Sequence, residues 1–163
     1  MAGTSCSAPV SARPEVQAWG RGDTALFALV ATTLVLVAAQ FALAGFGAFT
    51  MVKTPADNAY RAHLILGVVI GVMAWLVLAA ALASRPARAD PRTWRPAAAL
   101  ALLAIPVEPL LGEAGTRVPL VGALHALNGI AICGLAGWLM TATGRRRAAA
   151  RRTAGSGGGG DGR

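Results

Sequence analysis

Apolar residues dominate four stretches of the chain, 24–49, 63–84, 96–112 and 119–143, and in none of them do polar residues recur with period two. Crossing a hydrocarbon core of roughly 30 Å takes about 20 helical residues, and only helices or closed barrels satisfy the backbone there. Long runs without alternation predict membrane-spanning helices rather than strands. Helix-start signals stand at their heads: Asp23 as a candidate N-cap, a Thr54-Pro55 step before the second run, Pro96 and Pro119 at the third and fourth. The expected fold is all-α, a four-helix transmembrane bundle over residues 24–143. A polar N-terminal tail (1–23) and a basic, glycine-rich flexible tail (144–163) flank it. About 22 residues precede the first run and its apolar stretch exceeds a signal h-region, so it reads as a retained span.

Composition agrees. Of the 163 residues, 55% are hydrophobic and 13% charged, too apolar a balance for a soluble domain of this size. The net charge of +8 does not imply nucleic acid, because the arginines stand at the ends of apolar runs rather than on one face of a domain. Arg13, Arg21, Arg85, Arg88, Arg92, Arg95 and the run Arg145, Arg146, Arg147, Arg151, Arg152 fall on one side of the membrane, and Lys53, Arg61 and Arg117 on the other. The positive-inside rule then predicts a multi-pass membrane protein with both termini cytoplasmic. Anionic lipid is the expected partner of the arginine clusters. Cys6 in the tail and Cys133 within an apolar run make no disulfide framework. No phosphate-cradling loop, nucleophile elbow or zinc spacing occurs, so no reaction is assigned and enzymatic activity stays open.

Against this apolar background the polar residues inside the spans carry the information, since each costs several kcal/mol unless it finds a partner or faces a cavity. They are Gln40, His63, Glu108, His125 and Asn128. His63 stands about 22 residues before Arg85 and His125 about 20 before Arg145, so the two lie within about 3 Å of one depth, toward the outer leaflet. Small residues follow each at i+4 spacing: Gly67 and Gly71 below His63, then Gly129, Cys133 and Gly137 below His125. A flat macrocycle set edge-down between two helices needs that pattern, with ligand nitrogens above and no side chains below. The same pattern also lets bare helices pack closely, with the imidazoles bonding across the bundle.

The chain carries an internal echo. "AQFALAG" closes the first span as "PVEPLLG" closes the third, so Gln40 and Glu108 correspond, and "HLILG" then corresponds to "HALNG". Two helix-pair repeats would put His63 and His125 at equivalent positions on parallel helices. Glu108, between Pro106 and Pro109, predicts a kink whose loosened carbonyls need partners, and by count it lies a turn or two deeper than the histidines. Asn128, one turn below His125, is a candidate for orienting a ring or for joining helices.

These residues carry a resemblance. Residues 24–144 resemble a family of small four-span membrane proteins of unknown function from high-GC bacteria, marked by "AQFALAGFGAF", "HLILG" and "LHALNG", and the likeness implies the bacterial inner membrane as the location. They are also similar to one four-helix half of haem A synthase, whose haem-ligating histidines stand in the second and fourth helices. That likeness implies His63 and His125 as iron ligands. The synthase pattern has an acidic residue three positions before its first-half histidine and an arginine after it, where this chain has Tyr60 and Leu64, with Arg61 upstream; its loop cysteine pair is missing. The departures argue against haem oxygenation and leave a b-type haem as the expected cofactor. His63 and His125 would ligate it, with Gly67, Gly129 and Asn128 around it, in electron transfer or haem handling beside a membrane redox partner or within a homo-oligomer. The alternatives are a cofactor-free membrane protein or partner subunit and, more remotely, a proton-coupled transporter using Glu108.

Overall fold

A computed structural model describes residues 20–50 and 60–156. The elements are α1 (Arg21–Thr50), α2 (Arg61–Ala83), a short α3 (Arg85–Ala89), α4 (Pro91–Leu102), one π-helical stretch (Leu103–Val107), α5 (Glu108–Gly115) and α6 (Pro119–Ser156). The described residues contain no strand. α4, the π stretch and α5 form one continuous span, so four helices are long and apolar enough to cross a bilayer. The chain is a multi-pass membrane protein. Its large apolar side chains point outward, among them Val68, Leu110 and Leu120, each more than two-thirds exposed, as lipid-facing surface requires.

Consecutive spans pack antiparallel around a ring: α1 against α2 and α6, and the third span against α2 and α6. The second and fourth spans are therefore diagonal partners facing each other across the bundle axis. Buried positions step by three and four along each helix: Leu26, Val30, Thr33 and Val37 on α1, Ile70, Ala74, Val77 and Ala81 on α2, Ala97, Leu100, Ala101 and Ala104 in the third span, Ile132, Ala136, Leu139 and Thr143 on α6. Alanine dominates the arginine-rich half of this core, which brings the backbones close there. Thr33 and Thr143 bond back to the carbonyls of Leu29 and Leu139, both at 2.8 Å, so neither hydroxyl is left unmet.

The span ends differ from the sequence expectation in instructive ways. α1 begins at Arg21, and Asp23 reaches back from the first turn to accept the Gly20 N–H at 3.0 Å, the return half of a capping box. Its other oxygen accepts the Ser84 hydroxyl at 2.8 Å, tying α1 to the end of α2. The third span starts at Pro91 rather than Pro96, because Asp90 caps it through the Arg92 N–H at 3.0 Å and proline is favourable at the first helical position. α6 does not leave the helix at Gly144 but continues to Ser156, through arginines and alanines that are among the best helix formers. The Thr54-Pro55 step, Lys53, Cys6, Arg13 and the glycine run of the tail lie outside the described residues.

Asp90 also anchors α6. Its carboxylate accepts from Arg146 and from the Thr93 hydroxyl at 3.3 Å, and Arg146 donates to Thr93 at 2.7 Å. Burial pushes the Asp90 carboxyl up, but the Arg92 N–H and the Arg146 guanidinium outweigh it and hold the group below its ordinary value. A depressed folded-state value stabilises the fold above the ordinary carboxylate range, and this contribution is lost as pH falls through the lowered value. Asp90→Asn is accordingly expected to lower the melting temperature by a few degrees at neutral pH, with the difference from wild type closing in strongly acidic buffer. A constant difference at every pH would refute the ion pair as its source.

Candidate functional site

Helix direction decides how the polar residues meet. Carbonyls point toward the C-terminal end of a helix, and α1 and the third span run toward the level at which α2 and α6 carry their histidines. Each imidazole thereby meets the carbonyl of its counterpart on the preceding span. His63 Nδ1 lies 3.3 Å from the Gln40 carbonyl and His125 Nδ1 lies 3.4 Å from the Glu108 carbonyl. A carbonyl can only accept, so both contacts require the proton on Nδ1 and leave the Nε2 lone pair as the coordinating one. The correspondence of Gln40 with Glu108 and of His63 with His125 read from the repeated words is thus matched by equivalent contacts in space.

The imidazoles themselves approach across the bundle axis, with ring centres 6.3 Å apart and planes inclined by 67°. Neither is turned out to lipid. A cavity of about 290 Å³ opens beside them, lined by both histidines, Gly67, Gly129, Gln40, Glu108, Tyr60 and Phe41 and floored by Val37, Ile70, Ala104 and Ile132. That volume falls just short of the roughly 300–1,000 Å³ of ordinary ligand pockets. A Cβ on Gly129 would stand 3.5 Å from the Phe41 ring and 3.8 Å from Glu108 Oε1, so any longer side chain there enters the cavity. Below this level the expected slot closes. A Cβ on Gly71 would come within 2.8 Å of Ile105 Cγ1, because the π stretch pushes that isoleucine into the groove, whereas Gly137 has nothing within 4 Å and lines no slot. The small-residue pattern serves the site for one turn and helix packing thereafter.

Glu108 lies deeper than the histidines, opposite Gly129, yet its carboxylate reaches both neighbours on α6. Oε1 stands 3.5 Å from His125 Nδ1 and Oε2 accepts from Asn128 Nδ2 at 2.5 Å. Asn128 donates also to the Leu103 carbonyl at 3.2 Å, within the π stretch that Pro106 breaks open. It meets the predicted need of the kink for partners, and it acts on the His125 ring through Glu108 rather than by touching it. On the other side Gln40 Nε2 donates to the His63 carbonyl at 3.0 Å and lies 3.3 Å from His63 Nε2. Its Oε1 is buried and meets no partner among the described residues. Tyr60, where the synthase pattern would have led one to look for an acid, sits edge-on to His63 with ring centres 6.1 Å apart. Its part in the wall was not visible in the sequence, nor was that of Phe41.

Among the described residues no three His, Cys, Asp or Glu side chains converge to hold a bare metal ion. No protein-family model matches the chain, and comparison with curated proteins and with solved structures finds no match either, so the likeness to haem A synthase rests on the residues quoted for it alone.

Proposed function

We propose that this protein is a membrane haem protein, holding one b-type haem between His63 and His125. The observation that carries this reading is the 6.3 Å between the two ring centres across the bundle axis. A metal–imidazole bond is about 2 Å and a ring nitrogen lies about 1 Å from its ring centre, so two imidazoles sharing one iron have centres about 6 Å apart. Two features of the residues support the fit: both Nδ1 atoms face backbone carbonyls, and Gly67 and Gly129 keep the cavity beside the imidazoles free of side chains. Such a haem would supply one-electron chemistry. The chain's own part would be to keep the proton of each imidazole on Nδ1, to fix the rings through Gln40 and Glu108, and to line the site with the apolar Phe41, Ile70 and Ile132. With the arginine-rich end inside, the site lies toward the outer leaflet, with both termini cytoplasmic.

Reduced-minus-oxidised spectra of protein purified with haem available test this. Wild type is expected to show low-spin b-type bands, His63→Ala and His125→Ala to lose them, and the double variant to hold no haem. A wild type without bands, or histidine variants that match it, overturns the reading. A cofactor-free bundle is the second reading, and one observation favours it: Gln40 with His63, and Asn128 with Glu108 and His125, already join neighbouring helices without any ligand. It predicts that replacing both histidines by glutamine leaves the spectrum and the fold as they were.

A further inference from the structure

The two imidazoles correspond in sequence and in their backbone contacts, but their surroundings are unequal. His125 is clamped. Its Nδ1 faces the Glu108 carbonyl at 3.4 Å, Glu108 Oε1 stands 3.5 Å from the same nitrogen, and Glu108 is itself pinned by Asn128 at 2.5 Å. A Cβ on Gly112 would lie 3.4 Å from His125 Cε1, so the ring sits beside α5 with room for no more than a methyl between them. Its Nε2 has no hydrogen-bond partner among the described residues, which leaves that lone pair available to a ligand.

His63 differs at the atom that matters. Gln40 Nε2, while donating to the His63 carbonyl at 3.0 Å, stands 3.3 Å from His63 Nε2 and points an N–H at the lone pair a metal would use. Gly67 makes room for this pose, since a Cβ there would lie 3.3 Å from the same amide nitrogen. The pose leaves Gln40 Oε1 buried and unmet, which costs free energy unless a donor arrives. The amide is thus held in a position that serves His63 Nε2 at the expense of its own oxygen. His63 therefore has a protein partner ready for its ligating nitrogen, and His125 has none.

Resting on the haem reading, we propose that His125 is the anchoring ligand and His63 the releasable one, so that the protein binds a small neutral diatomic molecule at the iron on the His63 side. With carbon monoxide as the example, His125 would go on holding the haem, the ligand would take the coordination place of His63 Nε2, and the freed lone pair would accept the Gln40 N–H. No electron or proton is transferred. The wall on that side, Val37, Phe41, Ala44 and Tyr60, is mostly apolar and suits a neutral ligand better than an anion.

The test uses the full chain, haem-loaded and dithionite-reduced, titrated with carbon monoxide and read by its absorption spectrum. Wild type is expected to convert to the carbon monoxide adduct. Gln40→Leu, which removes the partner of the released imidazole, should need roughly fivefold more carbon monoxide. His63→Ala should keep its haem and bind carbon monoxide about tenfold more tightly, and His125→Ala should lose haem to a scavenging apoprotein about tenfold faster than His63→Ala. Where His125→Ala does not fold, His125→Gly supplied with free imidazole replaces it, and its haem loss should accelerate as imidazole is withdrawn. Haem-bearing wild type that forms no adduct at saturating carbon monoxide, or histidine variants that lose haem at equal rates, overturns the inequality while leaving the haem reading intact. A wild type that holds no haem ends both.

Discussion

Gly129→Leu is expected to cut haem incorporation to below about a tenth of wild type, a loss worth at least about 1.4 kcal/mol of binding, although it touches neither histidine. The reason is steric. A Cβ at this position already meets the Phe41 ring at 3.5 Å and Glu108 Oε1 at 3.8 Å, both ordinary van der Waals distances, so the remaining carbons of leucine have only the cavity to enter. Because that space is lined mainly by apolar atoms, filling it adds contacts rather than strain, and the haem-free variant should melt within a few degrees of wild type. Gly134→Leu is the control on the same helix, since a Cβ there meets nothing within 4 Å and the side chain goes outward. Haem content measured by pyridine haemochromogen in both variants decides the matter. Wild-type haem in Gly129→Leu would place any cofactor elsewhere, and equal loss in Gly134→Leu would show a general defect rather than a blocked cavity.

The bundle was legible because lipid imposes a simple requirement: four runs of apolar residues, each long enough to cross, leave little choice of fold. The meeting of His63 and His125 was legible too, through their matched distance from Arg85 and Arg145 and through the repeated words around them. What the sequence concealed was local geometry. Pro106 and Pro109 announce a kink, but not that a π-helical stretch from Leu103 to Val107 would set Ile105 against Gly71 and close the groove two turns below His63. Spacing counts treat a helix as regular, and the inserted residue breaks that regularity. Asp90 and Pro91 formed a cap-and-proline pair that outranked Pro96 as a start signal, and reading the run by its apolar residues alone passed over it. The contrast between His63 and His125 depends on where one amide nitrogen and one carboxylate point. Periodicity places Gln40 and Glu108 at equivalent sites but cannot say that one will face Nε2 and the other Nδ1.

Of the glycines that hold the helices together, Gly115 should be the least replaceable, and its neighbour across the interface, Gly122, should tolerate the same change. A Cβ on Gly115 would stand 2.8 Å from Gly122 Cα and 3.0 Å from its nitrogen, backbone against backbone, with no side chain able to rotate away. The reverse substitution is roomy: a Cβ on Gly122 meets the Gly115 carbonyl at 3.6 Å. Gly115 ends α5, and the link to α6 is tight, with the N–H groups of Arg117 and Val118 bonded to the Ala114 carbonyl at 3.1 and 3.0 Å, so the clash cannot be relieved by sliding one helix along the other. Gly115→Ala should therefore destabilise the fold by about 2 kcal/mol, as overpacking does, whereas Gly122→Ala should be neutral or gain up to about 1 kcal/mol from helix propensity. The clash also has a chemical consequence, because the α5–α6 hairpin sets the distance from Glu108 to His125. Prying it open at Gly115 should loosen His125 and lower haem retention, an effect that His63 and Gln40, on the opposite hairpin, cannot restore. Thermal or detergent-induced unfolding of the two alanine variants measures the first part and haem loss to a scavenger the second. Equal stability of the two variants would mean that the helices do not touch at Gly115, and with that contact gone the clamp on His125 would lose its support.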